Sequence, residues 1–224
     1  QVYRIDHVLG FFRIWRMNGG DVQGLLGYFD PALPFTEDEI KGFGTWFDFH
    51  RMVNPYIREH MLYEKFGDRA PEVMSRYLEL VTAGTYRFKE EFKTQRQLEN
   101  YARNNSEILE LNSAFYNEIL SLYCEVLFIE DQKQKGKFHP RIAFQDTYSF
   151  RELDWGAKDA LNRLYNHFFY ERHNQFWAEQ AMKKLPALLR ATDMLVCAED
   201  LGMIPACVPD VMRNLYMLSL EIDR

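Results

Sequence analysis

Two acidic strand ends that lie far apart in the sequence carry the residues best suited to chemistry. Asp6 follows the short β-type run of residues 2–5, and Glu199 with Asp200 follows the apolar run of residues 194–198. Acidic residues also open many ordinary loops, so their type alone does not define a site. Ligands of α/β folds, however, bind at the carboxyl ends of parallel strands, and both acidic groups follow a strand.

The neighbours of these carboxylates suit them to different roles. Arg4 precedes Asp6 by two residues and should point to the same side of the strand, where its charge would keep Asp6 ionised as a nucleophile requires. Glu199 follows an apolar run, whose partial desolvation would favour the protonated carboxyl that a general acid needs. Cleavage of a glycosidic bond uses one ionised and one protonatable carboxyl group, so Asp6 and Glu199 together are suited to this reaction.

Other catalytic and ligand-binding signatures are missing from the sequence. It contains no Gly-x-x-x-x-Gly-Lys-[Ser/Thr] phosphate loop, no Gly-x-Ser-x-Gly motif and no Glu-x-x-His pair of the di-iron type. The six histidines show no metal-ligand spacing, and His167 and His173 are six residues apart, on different helix faces. We therefore predict neither a cofactor nor a metal ion.

Composition and charge narrow the classes of partner. The chain has 224 residues, with 27 Lys and Arg against 33 Asp and Glu, and a net charge of −6. Such a chain lacks the concentrated positive charge that phosphate backbones require, so we expect no nucleic-acid partner. No apolar stretch approaches the roughly 20 residues of a membrane span, so we expect no membrane partner. Three scattered cysteines are typical of a reducing, cytoplasmic setting.

Helical signals dominate the region between the two acidic strand ends. Thr36 and Thr94 each stand three residues before a Glu or Gln, which is the spacing of a capping box and predicts helix starts. Further helices are predicted over residues 55–66, 71–80, 106–122 and 154–184. The segments EVLFIED and FHPRIAF flank a polar turn and could form a small β-hairpin.

The residues around both carboxylates resemble the active-site motifs of glycoside hydrolase family 77, the amylomaltase or disproportionating-enzyme family of 4-alpha-glucanotransferases. The nucleophile motif of that family, RIDH, stands here at residues 4–7, and its acid/base motif, AEDLG, stands at residues 198–202. Longer segments are similar to the branch that contains the plant cytosolic disproportionating enzyme: RIDHVLGFFRIW, GLLGYFDPALPF, FHPRIAFQDTYSF and LSLEIDR. That branch carries a long insertion between the nucleophile and the acid/base.

The resemblance implies a role for each residue of the site. Asp6 would be the nucleophile at the end of the fourth strand of a (β/α)8 barrel, and Glu199 the acid/base at the end of the fifth. Arg4 would position Asp6, His7 would help to bind the donor sugar, and Asp200 would be a supporting carboxylate beside the substrate. The implied substrates are maltose, maltodextrin or a glycogen-like glucan, with retaining transfer of α-1,4-linked glucosyl units.

The long separation between the two motifs agrees with this branch. A strand–helix–strand unit needs on the order of 30 residues, so roughly 150 additional residues lie between the strands. We predict a mainly α fold with a first barrel strand in residues 1–15, a helical insertion subdomain in residues 16–184, and a second barrel strand with its helix in residues 185–224. The chain would be an inactive fragment of an incomplete barrel, and the remainder of the parent barrel would be its partner.

Two alternatives remain open from the sequence. The complete protein could be an α-glucan hydrolase with water as acceptor, or the chain could be a helical carbohydrate-binding or interaction module without catalysis. Aromatic residues of the predicted insertion could stack on sugar rings or fill its core. These residues are Trp46, Phe47, Phe49, Tyr148 and Phe150.

Overall fold

The computed structural model describes residues 1–220, which form a mainly helical chain with four small sheets. Its α-helices are α1 (Glu37–Gly42), α2 (Phe49–Met52), α3 (Glu59–Phe66), α4 (Ala70–Tyr77), α5 (Gln95–Asn104), α6 (Ala114–Tyr123), α7 (Tyr148–Arg151), α8 (Trp155–Asn166), α9 (Asn174–Met182), α10 (Leu185–Leu189) and α11 (Val208–Asn214). Its strands are β1 (Val2–Ile5), β2 (Ile14–Arg16), β3 (Tyr28–Asp30), β4 (Phe35–Thr36), β5 (Ile57–Arg58), β6 (Leu78–Thr82), β7 (Thr85–Phe88), β8 (Phe128–Glu130), β9 (Lys137–Pro140), β10 (Leu195–Ala198) and β11 (Leu218–Ser219). The last four residues of the LSLEIDR segment lie outside the described part.

The chain divides into two compact units. The first comprises Gln1–Arg16, Phe29–Pro34 and the chain from residue 161 onward, and the second comprises Met17–Tyr28 and Phe35–Ala160. Both predicted acidic strand ends belong to the first unit.

A parallel three-stranded sheet in the order β1–β10–β11 forms the centre of the first unit. Its register pairs Val2 with Leu195 and Ile5 with Ala198. One face is buried, because Ile5, Val196 and Ala198 pack into a core with apolar residues of α9, α10 and α11. The predicted strand runs before Asp6 and Glu199 are therefore confirmed.

The opposite face of this sheet carries exposed apolar side chains. Side chains alternate between the faces of a strand, so Val2 and Arg4 share one face of β1. Their partners in the register of β10 are Leu195 and Cys197, and Leu218 is the partner of Cys197 in β11. The apolar members of this face, Val2, Leu195 and Leu218, are exposed.

The predicted helix over residues 154–184 is wrong as a single element. α8 ends at Asn166, a π-helical turn follows over His167–Glu171, and α9 begins at Asn174. His173 is buried, and its Nδ1 lies 2.8 Å from the carbonyl oxygen of Phe168. A side chain inserted into the helical hydrogen-bond ladder in this way is a usual cause of such a break.

The second unit combines α1–α7 and the first half of α8 with two antiparallel sheets, in the orders β5–β7–β6 and β4–β9–β8. Both predicted capping boxes are present, because Thr36 and Thr94 exchange hydrogen bonds with the third residue of the helix that each precedes. The predicted hairpin is also confirmed, as β8 and β9 pair across a polar turn. The mainly helical character predicted from the sequence therefore holds.

Three predicted helix boundaries in this unit are wrong. The helix expected from residue 55 begins at Glu59, because Ile57–Arg58 pairs with β7 as a strand. The helix expected to residue 80 ends at Tyr77, because the chain then enters the β6–β7 hairpin. The helix expected from residue 106 begins at Ala114, after Asn112 adopts a left-handed φ of 63° and Ser113 caps the helix.

Candidate active site

Asp6 and Glu199 occupy equivalent positions at the carboxyl ends of two adjacent parallel strands. Ile5 and Ala198 are partners in the register, and Asp6 and Glu199 are the residues that follow them. The N–H of Glu199 continues the ladder by donating to the Ile5 carbonyl at 2.9 Å. Since neighbouring strands lie about 4.8 Å apart, the two residues emerge side by side from the sheet.

The ladder departs from regular parallel pairing at His7. Regular pairing would have the N–H of His7 donate to the Glu199 carbonyl, but Val8 makes that bond instead, at 2.9 Å. His7 is thus an extra residue, and it adopts the left-handed conformation, with φ 55° and ψ 61°. Non-glycine residues rarely use this region. The backbone therefore bulges directly after Asp6.

The bulge supplies a backbone donor to the carboxylate of Glu199. The freed N–H of His7 donates to Oε2 of Glu199 at 2.8 Å, and the N–H of Leu201 donates to Oε1 at 3.3 Å. Both oxygens of the half-buried Glu199 are thus oriented by the main chain. A non-glycine residue held in the left-handed region costs about 1–3 kcal/mol, and such strain concentrates at functional sites.

Arg4 and Asp6 lie on the same side of β1, as the two-residue spacing predicts. Nη2 of Arg4 is 3.4 Å from Oδ1 of Asp6, and the two side chains are 59% and 88% exposed. An ion pair this exposed contributes little to stability, about 0–1 kcal/mol. That Arg4 orients the Asp6 carboxylate remains a prediction.

Asp200 differs from its neighbour because its side chain is buried. Its Oδ1 accepts a hydrogen bond from the N–H of Leu220 at 3.4 Å. This bond connects the loop that follows β10 to the segment that follows β11. Asp200 therefore positions the loop that carries Glu199, whereas contact with a substrate remains a prediction.

Arg13 supports the same loop and has no recognisable sequence signal. It is buried, and its Nη2 donates to the carbonyl of Met203 at 2.5 Å. Its guanidinium lies over the rings of Phe29 and Trp177, with Cζ 4.0 and 4.7 Å from their centroids. Burial lowers the pKa of Arg13 to about 10, so the group stays charged at neutral pH. Only the folded structure brings these partners together.

Two further kinds of feature are absent from residues 1–220. No cluster of three or more His, Cys, Asp or Glu residues there could hold a metal ion. Nor does any helix in that range have the length and apolar character needed to cross a membrane.

Comparison with known proteins identifies the family. The glycoside hydrolase family 77 profile, described as 4-alpha-glucanotransferase, matches residues 1–224. The chain belongs to this family. The resemblance drawn from the RIDH and AEDLG motifs is thereby confirmed, and family 77 is a barrel family.

A curated relative agrees with the family 77 assignment. The 4-alpha-glucanotransferase DPE2 of Oryza sativa subsp. japonica is 39% identical over 225 residues, which cover 99% of this chain and 24% of the rice protein. The chain thus spans about a quarter of the length of this relative. No solved structure matches the chain.

The aromatic residues considered for sugar stacking in this family 77 chain have different environments. Phe150 is buried, with its ring centroid 5.3 Å from that of Phe144, and Phe47 packs 4.7 Å from Phe138. Trp46 and Phe49, in contrast, are exposed. Exposed rings can stack on a ligand, whereas Phe150 fills the core of the second unit.

Proposed function

We propose that the complete protein containing this chain is a 4-alpha-glucanotransferase that moves α-1,4-linked glucosyl units from maltose or maltodextrin to an acceptor glucan. The observation that carries the proposal is the placement of Asp6 and Glu199 after partnered residues of adjacent parallel strands. Retaining enzymes need carboxyl groups about 5–5.5 Å apart, which is compatible with one strand spacing of about 4.8 Å. A glycogen-like glucan is a further candidate acceptor.

The reaction would proceed by double displacement. Asp6 attacks the anomeric carbon of the donor while Glu199 protonates the leaving glycosidic oxygen, and a covalent glucosyl–Asp6 ester forms. Glu199 then removes the proton of an acceptor hydroxyl, whose oxygen displaces Asp6 and restores the original anomeric configuration. Arg4 orients the nucleophile, the main chain of His7 holds Glu199, and the imidazole of His7 lies next to the donor sugar.

The parallel sheet of the first unit would be part of a (β/α)8 barrel, completed by the remainder of the protein. Under this proposal its helix-covered face would be on the outside of such a barrel and its exposed apolar face on the inside. Under this proposal residues 1–15 and 185–224 contribute the barrel strands, and residues 16–184 form the insertion. The fragment alone would be inactive.

The cellular setting is proposed from the cysteines. Cys124, Cys197 and Cys207 are all free thiols in the structure. Free thiols are the normal state in a reducing compartment, so we place the protein in the cytoplasm, acting on maltose and glucans there.

Replacement of the nucleophile tests the proposal directly. Asp6→Asn in the complete protein should lower the rate of maltose disproportionation by at least about a thousandfold, because the amide cannot form the glucosyl ester. Asp210→Asn, an exposed carboxylate elsewhere in the first unit, should leave the rate unchanged. Near-normal turnover by Asp6→Asn would refute the assignment.

The products separate the remaining alternatives. A transferase acting on maltose yields glucose together with longer oligosaccharides, whereas a hydrolase yields glucose alone. A carbohydrate-binding module would bind maltodextrin but turn over neither maltose nor maltodextrin in the complete protein. Chromatography of the products over time distinguishes all three.

A further inference from the structure

A cavity of about 340 Å³ lies in the second unit, beside α2 and the β5–β7 edge. Its wall includes the positively charged side chains of Arg51, Arg58 and Arg87, with His50 as a further nitrogen donor. Asp48 contributes a carboxylate to the same wall. This is an unusual concentration of guanidinium groups for a chain with a net charge of −6.

Arg51 and Arg58 lie over the same aromatic ring. Their Cζ atoms are 3.8 and 4.1 Å from the ring centroid of Tyr56, and both side chains are half-buried. Arg51 donates to the hydroxyl and the carbonyl of Ser149, and in the described part of the chain Arg58 donates only to the carbonyl of Ile57, at 3.5 Å. Within residues 1–220 neither guanidinium has a carboxylate oxygen within 4.0 Å.

The carboxylates of this region are engaged with other groups. Asp48 caps α2 by accepting the backbone N–H of Arg51 at 2.6 Å. Glu79 pairs with Arg87 at 2.6 Å. Glu152 accepts a hydrogen bond from the Tyr56 hydroxyl and lies 2.6 Å from Nε2 of His60. The charges of Arg51 and Arg58 are therefore not neutralised by direct contact.

Two half-buried like charges are costly to hold together. Burial lowers the pKa of Arg51, and the nearby charge of Arg58 also lowers it, although Tyr56, Glu152 and Asp48 raise it in part. A bound anion would offset both costs, because the charged guanidinium groups would regain hydrogen-bond acceptors and a counter-charge. The planar guanidinium fork matches the oxygen atoms of phosphate particularly well.

We propose that this cavity binds a compact oxyanion, namely the phosphate group of free phosphate or of a sugar phosphate. Arg58 supplies the principal unpaired donors, and Arg51 adds a second positive charge. His50 contributes a third group: its Nδ1 lies 3.1 Å from Nδ2 of Asn54 and accepts from it, which leaves Nε2–H to donate. This site goes beyond the proposed transferase function and does not depend on it.

Replacement of Arg58 is the clearest test, because its guanidinium contacts the Tyr56 ring and the Ile57 carbonyl, both within two residues of it in the sequence. Isothermal titration of the complete protein with inorganic phosphate should show saturable binding, and Arg58→Gln should weaken it by about tenfold, the loss expected for one charge-assisted hydrogen bond. Arg58→Lys keeps the charge without the planar fork and should weaken binding less. Arg213→Gln removes an exposed arginine of the first unit and should change nothing.

Glucose 6-phosphate and glucose serve as the other two probes. Tighter binding of glucose 6-phosphate than of phosphate, weakened in Arg58→Gln while any binding of glucose is unchanged, would support a sugar phosphate as the ligand. Equal affinities for inorganic phosphate and glucose 6-phosphate would support recognition of the phosphate group alone. The proposal is overturned if wild type binds neither phosphate, if Arg58→Gln binds them as wild type does, or if Arg58→Gln weakens the binding of glucose as much as that of glucose 6-phosphate. Binding is measured without turnover, so failure here is distinct from failure of the transferase proposal.

Discussion

The backbone N–H of His7 donates a 2.8 Å hydrogen bond to Oε2 of Glu199, although the two residues lie 192 positions apart in the sequence. The bond exists because the chain bulges after Asp6 and His7 takes up a left-handed conformation. It fixes the side chain of one candidate catalytic residue to the strand end that carries the other. A single backbone feature therefore sets the orientation of Glu199 relative to β1.

Glu199→Gln in the complete protein should remove the acid/base function and keep this hydrogen bond, since the amide oxygen can still accept from His7. We expect the kcat for maltose to fall by about 10²–10⁴, the usual contribution of a general acid–base group. The free energy of unfolding of this variant, measured in urea, should stay within about 0.5 kcal/mol of the wild-type value. With maltosyl fluoride as the donor, the fluoride leaving group needs no proton, so the variant should lose less of the rate of the first displacement. Equal losses for both donors would argue against an acid role.

The left-handed backbone at His7 can be tested by two substitutions. His7→Gly keeps the N–H and adopts this conformation freely, so its free energy of unfolding should stay within about 1 kcal/mol of wild type. His7→Val has a β-branched side chain, which is unfavourable at a positive φ. This variant should have a free energy of unfolding lower by an additional 1–2 kcal/mol or so. Urea denaturation of the two variants measures the difference. Equal stability of both would contradict the need for the left-handed conformation.

Local sequence signals predicted the strand runs before Asp6 and Glu199 and the capping boxes at Thr36 and Thr94, because each depends on a few neighbouring residues. The bulge at His7 could not be predicted in this way. It depends on pairing with a strand almost two hundred residues later, and a positive φ is uncommon even for histidine, which adopts it more often than most non-glycine residues.

The helix predictions failed where long-range contacts outweigh local propensity. Residues 78–82 continue an apolar–polar pattern compatible with a helix, but pairing with β7 makes them a strand. In the segment over residues 154–184, the buried ring of His173 stacks on Trp177 at 4.4 Å and its Nδ1 engages the carbonyl of Phe168, which interrupts the helix. Neither contact is visible in a single-sequence pattern.

The stability of the second unit should depend on the protonation of Glu125. Its carboxylate is buried, and burial raises its pKa above 4.5 although the N–H of Tyr148 donates to it at 2.7 Å. The folded state then binds this proton more tightly than the unfolded state. Stability is therefore lost as pH rises from about 4.5 through the raised pKa, and the penalty is constant above it.

Glu125→Gln removes this titration while its amide oxygen can still accept from Tyr148. As pH rises from about 4.5 through the raised pKa of Glu125, the free energy of unfolding of the variant should increase relative to that of wild type. Urea unfolding of both proteins at several pH values between about 4 and about 8 measures the difference. A difference in free energy of unfolding that does not change with pH would contradict the raised pKa.

Trp46 is the more exposed of the two exposed rings among the aromatic residues considered for sugar stacking, with 42% of its surface exposed. If it stacks on a sugar ring, Trp46→Ala should raise the KM for long maltodextrins by about 2–10-fold, the value of one aromatic contact, and leave the KM for maltose unchanged. Trp155→Ala, which removes a ring that is 81% exposed in the same unit, is the matched control. Phe150→Ala should instead destabilise the fold by about 3–5 kcal/mol, since that ring is buried. Unchanged kinetics of Trp46→Ala with long acceptors would exclude Trp46 from acceptor binding.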